Sequence, residues 1–387
     1  MSKWEKVMLG EKFKISSGGT PSTSKLEYYK NGTINWVRTG DLKSKYITQV
    51  DGLITEEALK KSSAKLFPVD TVLIAMYGAT IGACSILSIE AATNQACAAF
   101  LPNKDVDSSY LYFFLSSKKK EFIKLGVGGA QPNISATILK GVEIPLPPLE
   151  IQKQIAKTLD TAAELLAMHK QQLVELDNLI KSTFYDMFGD PVANVKGWAT
   201  KPLLGVGKFI SGGTPSKDRN DYWSGNFPWV SPKDMKVAYI SNPKNFISNK
   251  VFEETSLKKI SPNHLLIVVR GMILVHSFPT AINTVEVSIN QDMKAILPIK
   301  EIDVVYLKHC FDNMTHQILK IITTAGHGTK KFDADSMGKV IIPVPSLHLQ
   351  NQFADIVTKI EEQKALVKKV IDETQLLFDT LMSEYFE

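Results

Sequence analysis

The amino-acid sequence predicts an α+β chain made by tandem duplication. Each copy is a mixed globular domain followed by a long helix, and the two helices are expected to pair as an antiparallel coiled coil with pseudo-two-fold symmetry. Three observations lead there. The turn-rich phrase "ISGGTPS" at Ile210 repeats "ISSGGTPS" at Ile15, with Gly212 answering Gly18 and Trp198 answering Trp4. The proline-rich phrase "IPLPPLEIQKQIA" is answered by "IPVPSLHLQNQFA", so that Pro145, Pro147, Gln152 and Gln154 face Pro343, Pro345, Gln350 and Gln352. Beyond each of these phrases apolar residues step by four and three over several heptads, which marks a coiled-coil seam. The repeat is of domain size, far beyond the roughly 20 to 50 residues of solenoid arrays.

The elements follow in order. Residues 1–146 read as the first globular domain, 147–190 as the first helical spacer, 191–344 as the second domain and 345–387 as the second spacer. Within the domains the β-rich runs "DTVLIAMYG", "HLLIVVRGMILV" and "AINTVEVSI" alternate with clusters of Gly, Pro, Asn and Asp, the pattern of short strands punctuated by turns. "SSYLYFFLSSKKKEFIKL" reads as helix among them. Pro148 suits the first turn of a helix, after which Ile155, Leu159, Ala162, Leu166, His169, Leu173, Leu176 and Ile180 form the stripe. In "FYDMFGDP" Gly189 offers a left-handed stop and Pro191 forbids continuation. The second stripe is Phe353, Val357, Ile360, Lys364, Val367, Ile371, Thr374, Phe378 and Leu381. About 33 residues at about 1.5 Å each give a rod of roughly 50 Å. That is longer than a helix covering its own domain needs, so the two rods are expected to satisfy one another. His169, Lys364 and Thr374 interrupt the seam, where polar groups fix register or snorkel to water. Trp36 and Trp229 recur at matched positions and are expected in cores.

Composition narrows the function. The chain has 387 residues, 44% of them hydrophobic and 22% charged, as in an ordinary folded protein of two or three domains. A formal charge of +5 permits a polyanionic partner without requiring one. Cys84, Cys97 and Cys310 have no CxxC spacing, which argues against a disulfide framework or a zinc site and for buried thiols. The start "MSKWEKVMLGEKF" lacks the apolar stretch of a signal peptide, and the greasiest run, "LLIVVRGMILV", is short and interrupted by Arg270. A cytoplasmic protein without a membrane span is expected. No catalytic residues and no metal site emerge. Adenine methylation would need an Asn/Asp-Pro-Pro-aromatic loop around a flipped base, and "NPKNF" at Asn242 lacks the second proline. No GxxxxGK[ST] phosphate loop is present.

The whole length resembles the specificity (S) subunits of type I restriction-modification systems. The resemblance rests on the two GGTPS phrases opening each copy, the two proline–glutamine phrases entering each helix, and "FYDMFGDP" closing the first. It implies that each globular part is a target-recognition domain reading one half of a bipartite, asymmetric site in double-stranded DNA, while the paired helices set the unread gap. It also implies that the helices dock two modification (M) subunits, which carry S-adenosylmethionine and the adenine-methylating site, and that restriction (R) subunits join through that assembly. ATP and Mg2+ then belong to the partners, and this chain has no cofactor. The second copy ends at "SEYFE", without the Gly-Asp-Pro of the first.

Base readout favours Arg, Lys, Asn, Gln, Ser and Thr on exposed loops, and backbone contact favours Lys and Arg. In the first copy the candidates are Thr20, Lys25, Arg38, Lys43, Lys45, Tyr77, Thr80, Gln131 and Asn133. In the second they are Thr214, Lys217, Arg219, Ser231, Lys233, Lys236, Arg270, His276, Lys330 and Lys331. GGTP reads as a turn in which glycine permits positive φ and proline fixes the next step, with a phosphate contact from Thr20 or Thr214 left open. Arg270, inside its apolar run, has a second reading as a paired core arginine. Two other functions remain open at this point, a self-contained DNA methyltransferase or endonuclease, and a DNA-independent two-headed scaffold.

Overall fold

The computed structural model describes residues 4–126, 133–324 and 328–386. They form two compact units, one of Met1–Lys170 with Lys369–Glu387 and one of Gln171–Lys368. Each unit contains a globular head and one stretch from each of two 40-residue helices, Leu149–Phe188 and Leu347–Phe386.

In the first unit a five-stranded sheet runs in the order Ile15–Ser17, Cys97–Phe100, Val72–Ala75, Cys84–Leu87, Tyr46–Ile47. A smaller sheet centres on Ile34–Val37 and Ala91–Thr93, which pair in parallel. The second unit repeats the order with Gly207–Ser211, Met293–Pro298, Leu265–Val268, Thr280–Asn283 and Tyr239–Ile240. Its second sheet pairs Phe227–Val230 in parallel with Ser288–Ile289. The central strands Val72–Ala75 and Leu265–Val268 are buried along their whole length, so their sequences are continuously apolar instead of alternating.

The proline–glutamine phrases have a local explanation. Strand Glu143–Pro145 pairs with Lys6–Met8, and Ile341–Pro343 pairs with Thr200–Pro202. Tyr110 donates its hydroxyl to the Pro145 carbonyl at 2.7 Å, and Tyr306 does the same to Pro343 at 2.8 Å. Gln152 is fully buried, donating to the carbonyls of Pro147 and Asp105 and accepting from the Asp107 amide. Gln350 makes the matching bonds to Pro345, Glu301 and Asp303. A buried amide with its polar atoms bonded to the chain around it cannot be exchanged for an apolar residue without orphaning those partners. Gln154 and Gln352, by contrast, are exposed.

The helices are longer than the heptads predict, and both ends of each pack into head cores, predicted seam positions included. In the first unit Ile155, Ala156 and Leu159 join the head core, as does Phe386 from the far end of the second helix. In the second unit Ile180, Phe184 and Phe188 join the core together with Phe353, Val357 and Ile360. The start of one helix therefore lies with the end of the other in each unit, and the pairing is antiparallel. Of the remaining seam positions Leu166 and Val367 are buried, while Leu173, Leu176, Ile371 and Phe378 are half-buried. Gly189 does adopt positive φ, +76°, at the helix end. Lys364 in the seam is ion-paired with Asp177 at 2.6 Å and Glu361 at 2.7 Å.

The three cysteines are free and buried, and burial pushes each thiol up to about 12. Among the described residues no helix is long and apolar enough to cross a membrane, and no group of three or more His, Cys, Asp and Glu could hold a metal ion.

Candidate nucleic-acid interface

Each head carries the GGTP turn in the same setting. The Gly19 amide donates to the Thr93 carbonyl at 2.8 Å, and Gly213 to Ile289 at 2.9 Å. Trp36 Nε1 donates to the Gly19 carbonyl and Trp229 Nε1 to that of Gly213, at 3.2 and 3.1 Å. Both tryptophans are buried, 8% and 5% exposed, which satisfies the expectation of core packing and adds a second duty: each pins the turn.

The reason for the glycines differs from the sequence reading. None of Gly18, Gly19, Gly212 and Gly213 has positive φ. A Cβ on Gly18 would instead collide with Thr93, and one on Gly212 with the carbonyls of Ile289 and Asn290. Close approach of two backbone segments, not a left-handed turn, excludes every other residue. Gly212→Ala is accordingly expected to lower stability by about 1–3 kcal/mol in urea unfolding. Gly40→Ala, where an added Cβ meets nothing within 4 Å, is expected to change it by less than about 0.5 kcal/mol. Equal effects of the two substitutions would refute the close-approach account.

The threonines of the turns are engaged inside the protein. Thr20 Oγ1 donates to Gln95 Oε1, and Thr214 Oγ1 accepts from Asn290 Nδ2 at 2.9 Å. Asn290 and Gln291 are the counterparts of Asn94 and Gln95 in the matched strings "NQDMKAILP" and "NQACAAFLP".

The structure places the candidates differently in the two heads. In the second, Thr214, Lys217, Ser231 and Lys233 line one cavity of about 680 Å³, together with Asn290 and Asp292. Beside it, the Asp292 carbonyl accepts from the amides of Val269 and Arg270, Gly271 donates to Lys330, and Arg270 pairs with Lys331 in an isolated β-bridge. Arg270, His276, Lys233 and Lys236 are exposed. The core-arginine alternative for Arg270 is thereby corrected: the apolar strand ends at Val268, and Arg270 stands two residues beyond it. In the first head Tyr77, the counterpart of Arg270, forms the equivalent bridge with Asn133. Tyr77 is 40% exposed, and Thr80 donates back to its carbonyl. Arg38, Lys43 and Lys25 are exposed, with Lys25 hydrogen-bonded to Tyr28 at 3.2 Å. Gln131 lies outside the described residues.

Three candidates are already committed elsewhere. Lys45 is paired with Asp160 of the first long helix at 2.6 Å and lies over the Phe113 ring, so it ties head to helix. Arg219 hydrogen-bonds both oxygens of Asp221 at 2.8 and 2.7 Å and reaches Glu254, and the guanidinium holds the Asp221 carboxyl well below the usual range. Ser231 is buried and donates to Asp234 at 2.9 Å. The sequence reading also missed residues of the same cavity, Asn220, Trp223, Asn245 and Gln291. The recurrence of the Asn-Gln dipeptide in both copies was the available signal for Gln291.

Comparison with known proteins finds the duplication as well. The family described as "Type I restriction modification DNA specificity domain" matches residues 1–178 and again 195–375. The specificity subunit of the type I restriction enzyme EcoR124I/EcoR124II from Escherichia coli is 31% identical over 261 residues, 65% of this chain and 63% of that protein. The MjaIX specificity subunit of Methanocaldococcus jannaschii is 29% identical over 275 residues, 66% of this chain and 63% of the relative. Each match thus spans a little under two thirds of the curated relative. Among solved structures, the type I restriction-modification S subunit from M. genitalium superposes with a TM-score of 0.57 at 18% identity, covering 100% of this chain and 96% of that one. A chain from a structure describing assembly and conformational transition of the type I R-M system gives 0.63 at 17% identity, covering 99% and 97%. At such identities the likeness is one of fold. With the matched domain present twice, the chain belongs to the family of the type I restriction modification DNA specificity domain.

Proposed function

We propose that this chain is the sequence-reading subunit of a type I restriction-modification assembly. Each head reads one half of a bipartite, asymmetric site in double-stranded DNA. The long paired helices set the unread gap and dock two modification subunits, and restriction subunits join through that assembly. The observation that carries the reading is the duplication itself: the same pinned turn, strand order and polar edge occur in both heads, while the edge residues differ, Tyr77 and Asn133 against Arg270 and Lys331. Unlike edges on like frames suit unlike half-sites. Adenine methylation and ATP-dependent cleavage belong to the partner subunits in this reading, with S-adenosylmethionine, ATP and Mg2+ held there. This chain contributes binding without a cofactor, a metal or a catalytic group, and works in the cytoplasm.

The test is salt-titrated binding of the chain, assembled with its modification subunits, to duplex DNA. Phosphate contacts release counterions, so affinity is expected to fall by about 10³ or more between 50 and 200 mM salt if six or more phosphates are contacted. Binding indifferent to both salt and sequence would sink the proposal and leave the DNA-independent scaffold. Lengthening both long helices by the same few residues is expected to change the gap and neither half-site.

A further inference from the structure

The cavity of the second head contains a feature the first head lacks. Both heads carry an Asn-Gln dipeptide behind the GGTP turn, yet they use it differently. In the first, the glutamine oxygen is engaged, accepting from the Thr20 hydroxyl. In the second, the asparagine takes that task, with Asn290 Nδ2 donating to Thr214 at 2.9 Å and Oδ1 accepting from the Asp292 amide at 2.8 Å. Both functional ends of Asn290 are thereby fixed, and with them the segment that carries its neighbour. Gln291 is exposed, lines the cavity, and has no hydrogen bond to its side chain among the described residues.

Its surroundings have the chemistry of a base-reading pocket. Trp223 lines the cavity and packs edge-to-face on Trp229 with centroids 5.1 Å apart. The two indole N–H groups are spent on the carbonyls of Ser216 and Gly213, so this wall offers apolar ring surface and no competing donor. Lys217 and Lys233 line the same cavity with no ion pair among the described residues. An amide that donates and accepts in one plane matches the N6 and N7 groups of adenine in the major groove, and lysines suit the flanking phosphates.

We propose that Gln291 is a specificity-determining residue, reading one adenine in the half-site of the second head, with Lys217 and Lys233 gripping the phosphates beside it. The proposal rests on the reading of the chain as a DNA-recognition subunit and names the base contact within it.

The experiment selects duplexes from a randomised DNA library with the full chain assembled with its modification subunits, and sequences what is bound. The wild type is expected to return a bipartite site. Gln291→Ala is expected to lose about tenfold or more of the discrimination at one position of one half-site, leaving the other half-site unchanged. Gln291→Glu, which can only accept, is expected to move the preference at that position from adenine toward cytosine, whose N4 group donates. Lys217→Ala is expected to weaken binding to all sequences alike and to reduce the salt slope by about one. Site profiles of Gln291→Ala and Gln291→Glu superimposable on the wild type, with the bipartite preference intact, would overturn the role of Gln291 alone. A wild-type chain without sequence preference would instead overturn the proposed function.

Discussion

Phe184→Ala is expected to lower the stability of the second unit by about 3–5 kcal/mol. Phe184 is fully buried. Its ring stacks on Tyr306 with centroids 5.8 Å apart, meets Phe353 edge-on at 5.6 Å, and packs on Phe188 at 5.1 Å. Three elements converge there: the end of the first long helix, the start of the second, and the head helix Val304–Ile321. Truncation removes both the burial of the ring and the contacts its neighbours make with it, and a close-packed aromatic cluster relaxes only partly around the void. Hydrogen exchange locates the effect. Strands Leu265–Val268 and Met293–Pro298 are expected to lose protection, while Val72–Ala75 and Cys97–Phe100 of the first unit keep theirs. Protection unchanged in the second unit would show that the helix end is an adornment of that core and not part of it.

The same cluster shows what the sequence discloses and what it hides. The duplication is legible because whole phrases recur, GGTPS 194 residues apart, and the long helices because their apolar stripe is a local period that a short window displays. Phe184 and Phe188 fall outside that period. They lie beyond Ile180, where the helix stops obeying its partner helix alone and begins to obey the core of a head, a demand no heptad encodes. The turn glycines hide for a related reason. Gly18 needs to be glycine because of Thr93, 75 positions away, and a turn-rich composition points as readily to positive φ. Charge is ambiguous for the same reason. Lys45 has the composition of a DNA contact, but its partner Asp160 is separated from it by 115 positions. Arg219 and Ser231 have the residue type and loop context of base readers, yet each is bonded to a carboxylate a few residues on. Gln291 is the converse case. Its dipeptide was visible in both copies, but which member of the pair is spent on the threonine depends on side-chain packing that the sequence does not order.

Lys364 yields the second large effect, and the effect is asymmetric. The side chain is 11% exposed and sits between Asp177, at 64%, and Glu361, at 21%. Burial acts to lower its pKa, but the hydrogen bonds to Asp177 and Glu361 outweigh it and hold the ammonium above its ordinary value. Removing both carboxylates, Asp177→Ala with Glu361→Ala, strands a buried ammonium and is expected to cost about 3 kcal/mol or more. Lys364→Met leaves two carboxylates with access to water and fills the seam with a side chain of similar length, so its cost is expected to stay within about 1 kcal/mol. Urea unfolding at neutral pH checks the order. Because the folded pKa is raised, the contribution of the pair is fully present below the ordinary lysine value and is lost as pH rises through the folded one. Relative to Lys364→Met, the wild type is therefore expected to lose stability only in that alkaline range. If the pair adds so little over a methionine, its use is positional. It joins a residue of one long helix to a residue of the other between the buried Ile360 and Val367, and apolar side chains alone tolerate a slip of register that a paired ammonium does not. Lys364→Met is then expected to keep its stability while disulfides engineered one helical turn out of register begin to form across the helices. If no such disulfides formed, packing alone would be shown to set the register.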